Sequence, residues 1–299
     1  MKIGLALGSG SARGWSHIGV INALAREGIK PEIICGTSIG ALVGASCASG
    51  SLDRLEQWVR SLSRFETARF FELNLSRQGF VNTERFHRFL NTYISDDDTH
   101  IESLQCAYGA VATELETGRE VWFTEGSLLQ AVWASTSLPG LFPAIRHDHH
   151  WLVDGGLVNP VPVSLCRAMG AEVVIAVNLN GDIIGRHLHK PKPVETQKPR
   201  NGVMGRLTEL VDEYTTRLTG ADEPEDHSPS MFDAIAGSIN IIQDRITRSR
   251  MAGDPPDILL SPPLADIGLL EFYRAEEAIR EGERAVEEML PTIHRLLQR

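Results

Sequence analysis

Cysteine, lysine and long apolar runs are scarce in this sequence. The four cysteines among its 299 residues form no CxxC pair, so we expect them to be reduced and buried as small hydrophobic side chains. No uninterrupted apolar run approaches the ~20 residues that a transmembrane helix needs. A strand-like segment begins at residue 3, so we expect no signal peptide and a cytoplasmic protein.

Positive charge is also in short supply. Asp and Glu outnumber Lys and Arg by 39 to 29, which gives a formal net charge of −10 and a pI of about 5.5. Such a surface argues against nucleic acid as the main partner, but a local basic patch could still contact a membrane peripherally. Residues 183–229 contain three of the five lysines and several prolines. We expect a surface excursion there, which is either a variable solvated loop, a lid or a contact with anionic lipid.

Apolar segments alternate with amphipathic segments, which predicts an α/β fold with a mostly parallel sheet between helices. The composition is ordinary for a globular protein, and we predict one domain over residues 1–299. Strands are predicted at 2–7, 31–35, 106–113, 120–124, 151–153, 172–179 and 258–260. Helices are predicted at 18–27, 41–48, 52–62, 86–93, 128–134, 163–169 and 272–290.

Ser38 lies at the centre of Gly36-Thr37-Ser38-Ile39-Gly40, between a predicted strand and a predicted helix of small residues. A GxSxG turn in this position holds a serine hydroxyl in a strained, exposed conformation from which it can attack a carbonyl carbon. The flanking glycines allow the turn to fold tightly and leave room for a substrate. Ser38 is therefore the candidate nucleophile.

The loop at residues 8–14 also follows a strand and opens a helix. Its backbone N–H groups would point at whatever lies above the helix N-terminus, where the helix dipole adds positive potential. The loop could therefore hold a tetrahedral oxyanion, although a phosphate-binding or purely structural turn would have the same pattern.

Asp154 is the strongest candidate for the base that a nucleophilic serine needs. It ends a short apolar strand and precedes Gly155 and Gly156, which would leave its carboxylate at the C-terminal edge of the sheet. Partial desolvation beside apolar neighbours would raise its pKa towards values useful for a base. A turn aspartate in a hairpin would look the same. The tract His147-Asp148-His149-His150 alternates between two faces, so we expect no shared metal ion there.

The glycine-rich loop, the GxSxG turn and the Asp154-Gly155-Gly156 segment together resemble the patatin-like phospholipase family, in particular its bacterial neuropathy-target-esterase type. Further segments that carry the resemblance are residues 5–10, 13–20, 134–140, 156–162 and 250–256. The resemblance implies a three-layer α/β/α patatin-like fold. It also implies hydrolysis of lysophospholipids, phospholipids or related small esters by a Ser38–Asp154 dyad without histidine, metal or cofactor.

The resemblance also implies that the amides of Gly10, Ser11 and Ala12 hold the oxyanion and that Arg13 braces the loop or the anion. In this sequence Ser9 and Ser11 occupy positions that are often glycine in the family, and serine disfavours a positive φ. Either these positions have an ordinary φ or the oxyanion hole is altered.

Other functions remain open from the residues alone. The Gly8-x-Gly10 pair could begin a dinucleotide-binding fingerprint, but Arg13 stands at the third glycine position. An α/β-hydrolase with a Ser-His-Asp triad would usually place its serine after several strands, whereas Ser38 follows the second. A non-catalytic interaction protein on the same fold is the third alternative. The sequence does not indicate an oligomeric state.

Overall fold

The computed structural model describes residues 1–70, 83–181 and 231–298. The predicted excursion at residues 183–229 lies outside these ranges. Within them the strands form one eight-stranded sheet in which hydrogen-bonded neighbours follow the order β5-β6-β3-β2-β1-β7-β8, with β4 paired to β3. The strands are β1 (Ile3–Leu7), β2 (Ile33–Thr37), β3 (Ala107–Glu114), β4 (Glu120–Phe123), β5 (Ile145–His147), β6 (His150–Asp154), β7 (Val173–Val177) and β8 (Ile258–Leu260).

The sheet is mostly parallel, as predicted. All pairings among β3, β2, β1, β7 and β8 are parallel, and only β4, β5 and β6 join in antiparallel register. The helices are α1 (Ser16–Arg26), α2 (Ile39–Ala48), α3 (Leu52–Ser61), α4 (Arg64–Phe70), α5 (Thr83–Tyr93), α6 (Leu128–Thr136), α7 (Val163–Ala168), α8 (Met231–Gly253) and α9 (Ala275–Leu297).

Both faces of the sheet are covered by helices. Successive strand residues point to opposite faces, so Leu5 and Leu7 of β1 pack in one core, which includes residues of α1, α2, α6 and α9. Ala6, between them, packs in a second core with residues of α7. The prediction of an α/β fold with helices on both sides of the sheet is therefore confirmed.

Several element boundaries differ from the predictions. Strand β2 extends to Thr37, two residues further than predicted, because Gly36 and Thr37 still pair with Ala110 and Val111 of β3. Helix α9 continues through Pro291 to Leu297, because the fully buried Ile293 anchors its last turns. The prediction assigned no element to β5, α4 or α8.

Candidate active site

The C-terminal ends of β2 and β6 meet head to head along one edge of β3. Ala110 and Val111 of β3 pair with β2 on one side and with β4 on the other, while Ala112 pairs with β4 and with Asp154 of β6. A strand has only two edges, so β2 and β6 occupy the same one. The residue after β2 and the last residue of β6 are therefore neighbours in space.

Ser38 is the residue that follows β2. Its backbone has φ 57° and ψ −125°, a sparsely populated positive-φ conformation that costs a non-glycine residue on the order of 1–3 kcal/mol. The Ser38 amide donates to Ser135 Oγ at 2.9 Å, which helps to hold the turn. A Cβ on Gly40 would lie 2.1 Å from the Leu7 carbonyl oxygen, and one on Gly36 would lie 2.3 Å from the Ala41 nitrogen. Both motif glycines are therefore required by backbone contact.

Asp154 accepts a hydrogen bond from the Ser38 hydroxyl group. The Ser38 Oγ donates to Asp154 Oδ2 at 2.5 Å, and the Gly156 amide donates to Oδ1 at 2.7 Å. Its backbone is fixed as well, since its amide donates to the Ser137 carbonyl oxygen at 2.9 Å. A Cβ on Gly155 would lie 2.1 Å from the Val111 carbonyl oxygen, so the chain can turn here only with glycine.

The carboxyl group of Asp154 is almost completely buried, with 1% of the residue exposed. Burial raises its pKa from 3.8 to about 6, against the opposing effect of the hydrogen bonds from Ser38 and Gly156. Near neutral pH the group is thus ionised but poised close to its pKa. A carboxylate in that state can accept a proton and return it.

The amides of the glycine-rich loop divide into two pairs. Ala12 donates to the Leu269 carbonyl oxygen at 3.1 Å and Arg13 donates to that of Gly10 at 3.3 Å. The amides of Gly10 and Ser11, in contrast, donate to no atom in the described part of the chain. Both residues line the cavity described below, whereas Ala12 and Arg13 do not.

Ser11 adopts the positive φ that serine disfavours. Its φ is 52°, and its Oγ donates to the Leu269 carbonyl oxygen at 2.6 Å, which compensates part of the strain. Ser9 has no positive φ, and its amide donates to the Pro160 carbonyl oxygen at 2.8 Å. The loop thus accommodates serine at both positions.

Arg13 is fully buried and does not line the cavity. Its Nε donates to the Gly10 carbonyl oxygen at 3.1 Å, and its Nη2 donates to Oδ1 of Asn180 at 3.2 Å and of Asn240 at 3.0 Å. All three partners are neutral oxygens, so burial lowers the pKa of Arg13 to about 9. Its geometry is that of a brace that ties the loop to α8.

Histidine takes no part in the Ser38–Asp154 contact within the described residues. His17 is a buried histidine whose ring contacts the glycine-rich loop. Its Nε2 lies 2.7 Å from the Gly8 carbonyl oxygen, and burial lowers its pKa to about 4. It is therefore neutral and structural.

The histidine tract lies at the β5–β6 hairpin, where His147 pairs with His150. His150, with Glu114 and Glu116, offers ligand atoms within 4.8 Å of one another, so this trio could hold a cation. Its Nδ1 lies 3.0 Å from Glu114 Oε1. Glu116 and His150 are exposed, and exposed groups of this kind are common on protein surfaces that bind no metal ion.

Ser38 and Asp154 open onto a cavity with about 900 Å³ of empty space, part of it open to solvent. Polar groups from the loop and from α8 lie at the serine end. The remainder is largely apolar. Its aromatic lining consists of Trp15, Trp58, Phe86, Phe89, Phe142 and Phe272.

Comparison with known proteins shows the family to which the chain belongs. The family model for patatin-like phospholipases matches residues 5–167, more than half of the chain. An uncharacterized NTE family protein of Mycobacterium tuberculosis is 31% identical over 323 residues, which cover 94% of this chain and 89% of that protein. The chain belongs to the patatin-like phospholipase family.

Other members of the family are similar to this chain over a small part of their own length. Patatin-like phospholipase domain-containing protein 7 of Mus musculus is 35% identical over 184 residues, which cover 59% of this chain but 13% of that protein. Among solved structures, VipD from Legionella pneumophila superposes with a TM-score of 0.44 at 12% identity, over 97% of this chain and 66% of that chain. A match this remote carries no weight beside the sequence matches.

Helix α8 is the part of this patatin-like site that the sequence interpretation missed. It contributes Ile239, Asn240 and Gln243 to the cavity. The signal was present as polar residues at helical spacing, since Asn240, Gln243 and Thr247 are all buried on one side of the helix.

Among the described helices, none combines the length and the apolar character needed to cross a bilayer.

Proposed function

We propose that this chain is a serine acyl-ester hydrolase in which Ser38 is the nucleophile and Asp154 the general base. The observation that carries the proposal is the 2.5 Å hydrogen bond from Ser38 Oγ to Asp154 Oδ2, in the lining of a largely apolar cavity. With a pKa of about 6, Asp154 is largely ionised at pH 7 and can take the hydroxyl proton.

In the first half-reaction Ser38 Oγ bonds to the ester carbonyl carbon while its proton moves to Asp154. The tetrahedral intermediate then collapses, the bond from carbon to the alcohol oxygen breaks, and Asp154 returns the proton to that oxygen. In the second half-reaction water attacks the acyl-enzyme and gives its proton to Asp154. Collapse releases the carboxylic acid and restores the Ser38 hydroxyl.

The oxyanion is assigned to the amides of Gly10 and Ser11. These two line the cavity and are without an acceptor in the described chain, whereas the Ala12 amide is engaged by Leu269. We therefore assign the oxyanion hole to these two of the three predicted amides, and Arg13 is the residue that holds their loop in place. Donors fixed before the reaction are worth about 2.7–4 kcal/mol each in the barrier.

The apolar cavity supports a substrate with a long acyl chain, such as a lysophospholipid, a phospholipid or a related lipid ester. Six aromatic side chains line it, and no charged side chain other than Asp154 does so among the described residues. Side chains and amides supply each step, so the proposed reaction needs no metal ion. We retain the expectation of a cytoplasmic protein with peripheral membrane contact.

The experiment compares hydrolysis of a short-chain p-nitrophenyl ester by the wild type, Ser38→Ala and Asp154→Asn. We expect both variants to lose activity by at least about 10³-fold while remaining folded by circular dichroism. His147→Ala and His150→Ala are the matched controls for a Ser-His-Asp triad and should retain activity. An active Asp154→Asn protein, or an inactive histidine variant, would contradict the dyad.

A further inference from the structure

Gln243 is a buried polar residue of α8 at the serine end of the cavity. Only 5% of it is exposed, and it lines the cavity together with Ser9 and Asp154. Its Oε1 accepts from Ser9 Oγ at 3.1 Å and from Asn180 Nδ2 at 3.0 Å. Two donors thus hold one end of the amide in a fixed position.

The hydrogen-bond network determines which atom of the Gln243 side-chain amide is the oxygen and which is the nitrogen. Arg13 has only donors, so its Nη2 must face the oxygen of Asn180, 3.2 Å away. The Nδ2 of Asn180 therefore faces Gln243, and the Gln243 atom that receives it must be the oxygen. Arg13 at one end of this chain of contacts fixes the amide orientation at the other.

The Nε2 of Gln243 is consequently turned towards the reacting groups. A Cβ placed on Gly156 would lie 2.5 Å from Gln243 Nε2 and 2.9 Å from Asp154 Oδ1, so both atoms adjoin the same point. Nε2 makes no hydrogen bond to the described part of the chain. Nε2 keeps some accessible surface where Gln243 lines the cavity, so its N–H groups are available to donate to an acceptor on a bound substrate.

We propose that Gln243 Nε2 donates a hydrogen bond to an oxygen in the alcohol portion of the ester, which makes Gln243 a specificity-determining residue for esters of polar alcohols. The inference rests on the proposed function of Ser38 and Asp154. Asp154 must return its proton to the departing alcohol oxygen, so the alcohol lies on the Asp154 side of Ser38. Gln243 Nε2 lies next to Asp154 on this side, whereas the aromatic lining of the cavity is available for the acyl chain.

The substrate class that follows is an acyl ester whose alcohol carries further oxygens, such as a glycerol or a glycerophosphate. An ester of a simple alkanol has no atom for Nε2 to bind. The contact therefore separates two substrates with the same acyl chain, and this difference can be measured without reference to the overall rate.

The test compares kcat/KM for 1-monodecanoylglycerol and methyl decanoate, with the released decanoic acid titrated in both cases. Gln243→Met removes the donor at similar length, and Gln243→Leu removes it with a second apolar side chain. We expect both variants to lower the ratio of glycerol ester to methyl ester about fivefold to tenfold, as for one lost hydrogen bond. Effects on Ser38 and Asp154 themselves cancel in this ratio.

Ser9→Ala is the matched control, because it loosens the Gln243 oxygen but leaves the Nε2 donor in place. Its substrate ratio should stay within about twofold of the wild type. If the Gln243 variants lower both rates equally, Gln243 only supports the loop and the inference is wrong. A wild-type protein that hydrolyses neither ester would instead contradict the proposed function, and this inference with it.

Discussion

Replacing Asp154 with Asn should make the stability of the protein depend differently on pH. In the folded wild type the buried carboxyl has a pKa of about 6, against 3.8 for an ordinary Asp. The folded state therefore binds this proton more tightly than the unfolded state. The protonated group stabilises the fold fully below 3.8, and that contribution is lost as the pH rises through about 6.

The magnitude follows from the two pKa values. A difference of about two pH units corresponds to about 3 kcal/mol over the whole range, and about 1 kcal/mol of it falls between pH 5 and pH 7. Asn fills the same volume and can still accept the Gly156 amide, but it cannot ionise. We therefore expect Asp154→Asn to gain about 1 kcal/mol in unfolding free energy relative to the wild type between pH 5 and pH 7.

The assay is urea unfolding followed by tryptophan fluorescence at pH 5, 6 and 7 at constant ionic strength. All other titrating groups cancel in the difference between the two proteins. Ser38→Ala is the control: it removes a hydrogen bond that lowers the pKa of Asp154, so its own pH dependence should be steeper than that of the wild type. A difference between Asp154→Asn and wild type that is flat from pH 5 to pH 7 would refute the raised pKa.

Further predictions concern the rate and the packing of the loops. The kcat/KM for ester hydrolysis should fall about tenfold per pH unit below about pH 6, as Asp154 is protonated, and an acid limb near pH 4 would contradict this. Gly40→Ala should lower the unfolding free energy by about 3 kcal/mol, because its Cβ would overlap the Leu7 carbonyl oxygen, whereas Gly237→Ala in open space on α8 should not destabilise. Arg13→Met should cost about 3 kcal/mol in urea unfolding, since the buried side-chain oxygens of Asn180 and Asn240 each lose a charged donor, and a neutral result would remove its role as a brace.

Much of the sheet could be predicted because its central strands are unbroken apolar segments. Ser38 and Asp154 could be placed at strand ends from the residues alone, but their meeting depends on where β2 stops along β3, which no local pattern gives. The resemblance to a family supplied that pairing. The Ala12 amide was assigned to the oxyanion hole by the same resemblance, and its bond to Leu269, a residue far along the chain, could not be foreseen.

Helix α8 was not predicted because its distribution of apolar and polar residues is the reverse of that of an ordinary surface helix. Ile235 and Ile242 are about half exposed, whereas Asn240 and Gln243 are buried against the loop of residues 8–14. A rule that places apolar residues inside would turn this helix the wrong way. Buried polar residues at helical spacing indicate a polar partner, and here that partner is the site itself.

Covalent labelling with a fluorophosphonate, followed by peptide mapping, tests most directly whether Ser38 is an activated nucleophile. We predict stoichiometric modification of Ser38 in the wild type and a labelling rate at least about 100-fold lower in Asp154→Asn, because the base that removes the hydroxyl proton is gone. Modification at a different serine, or equal labelling of Ser38 in the two proteins, would contradict the account.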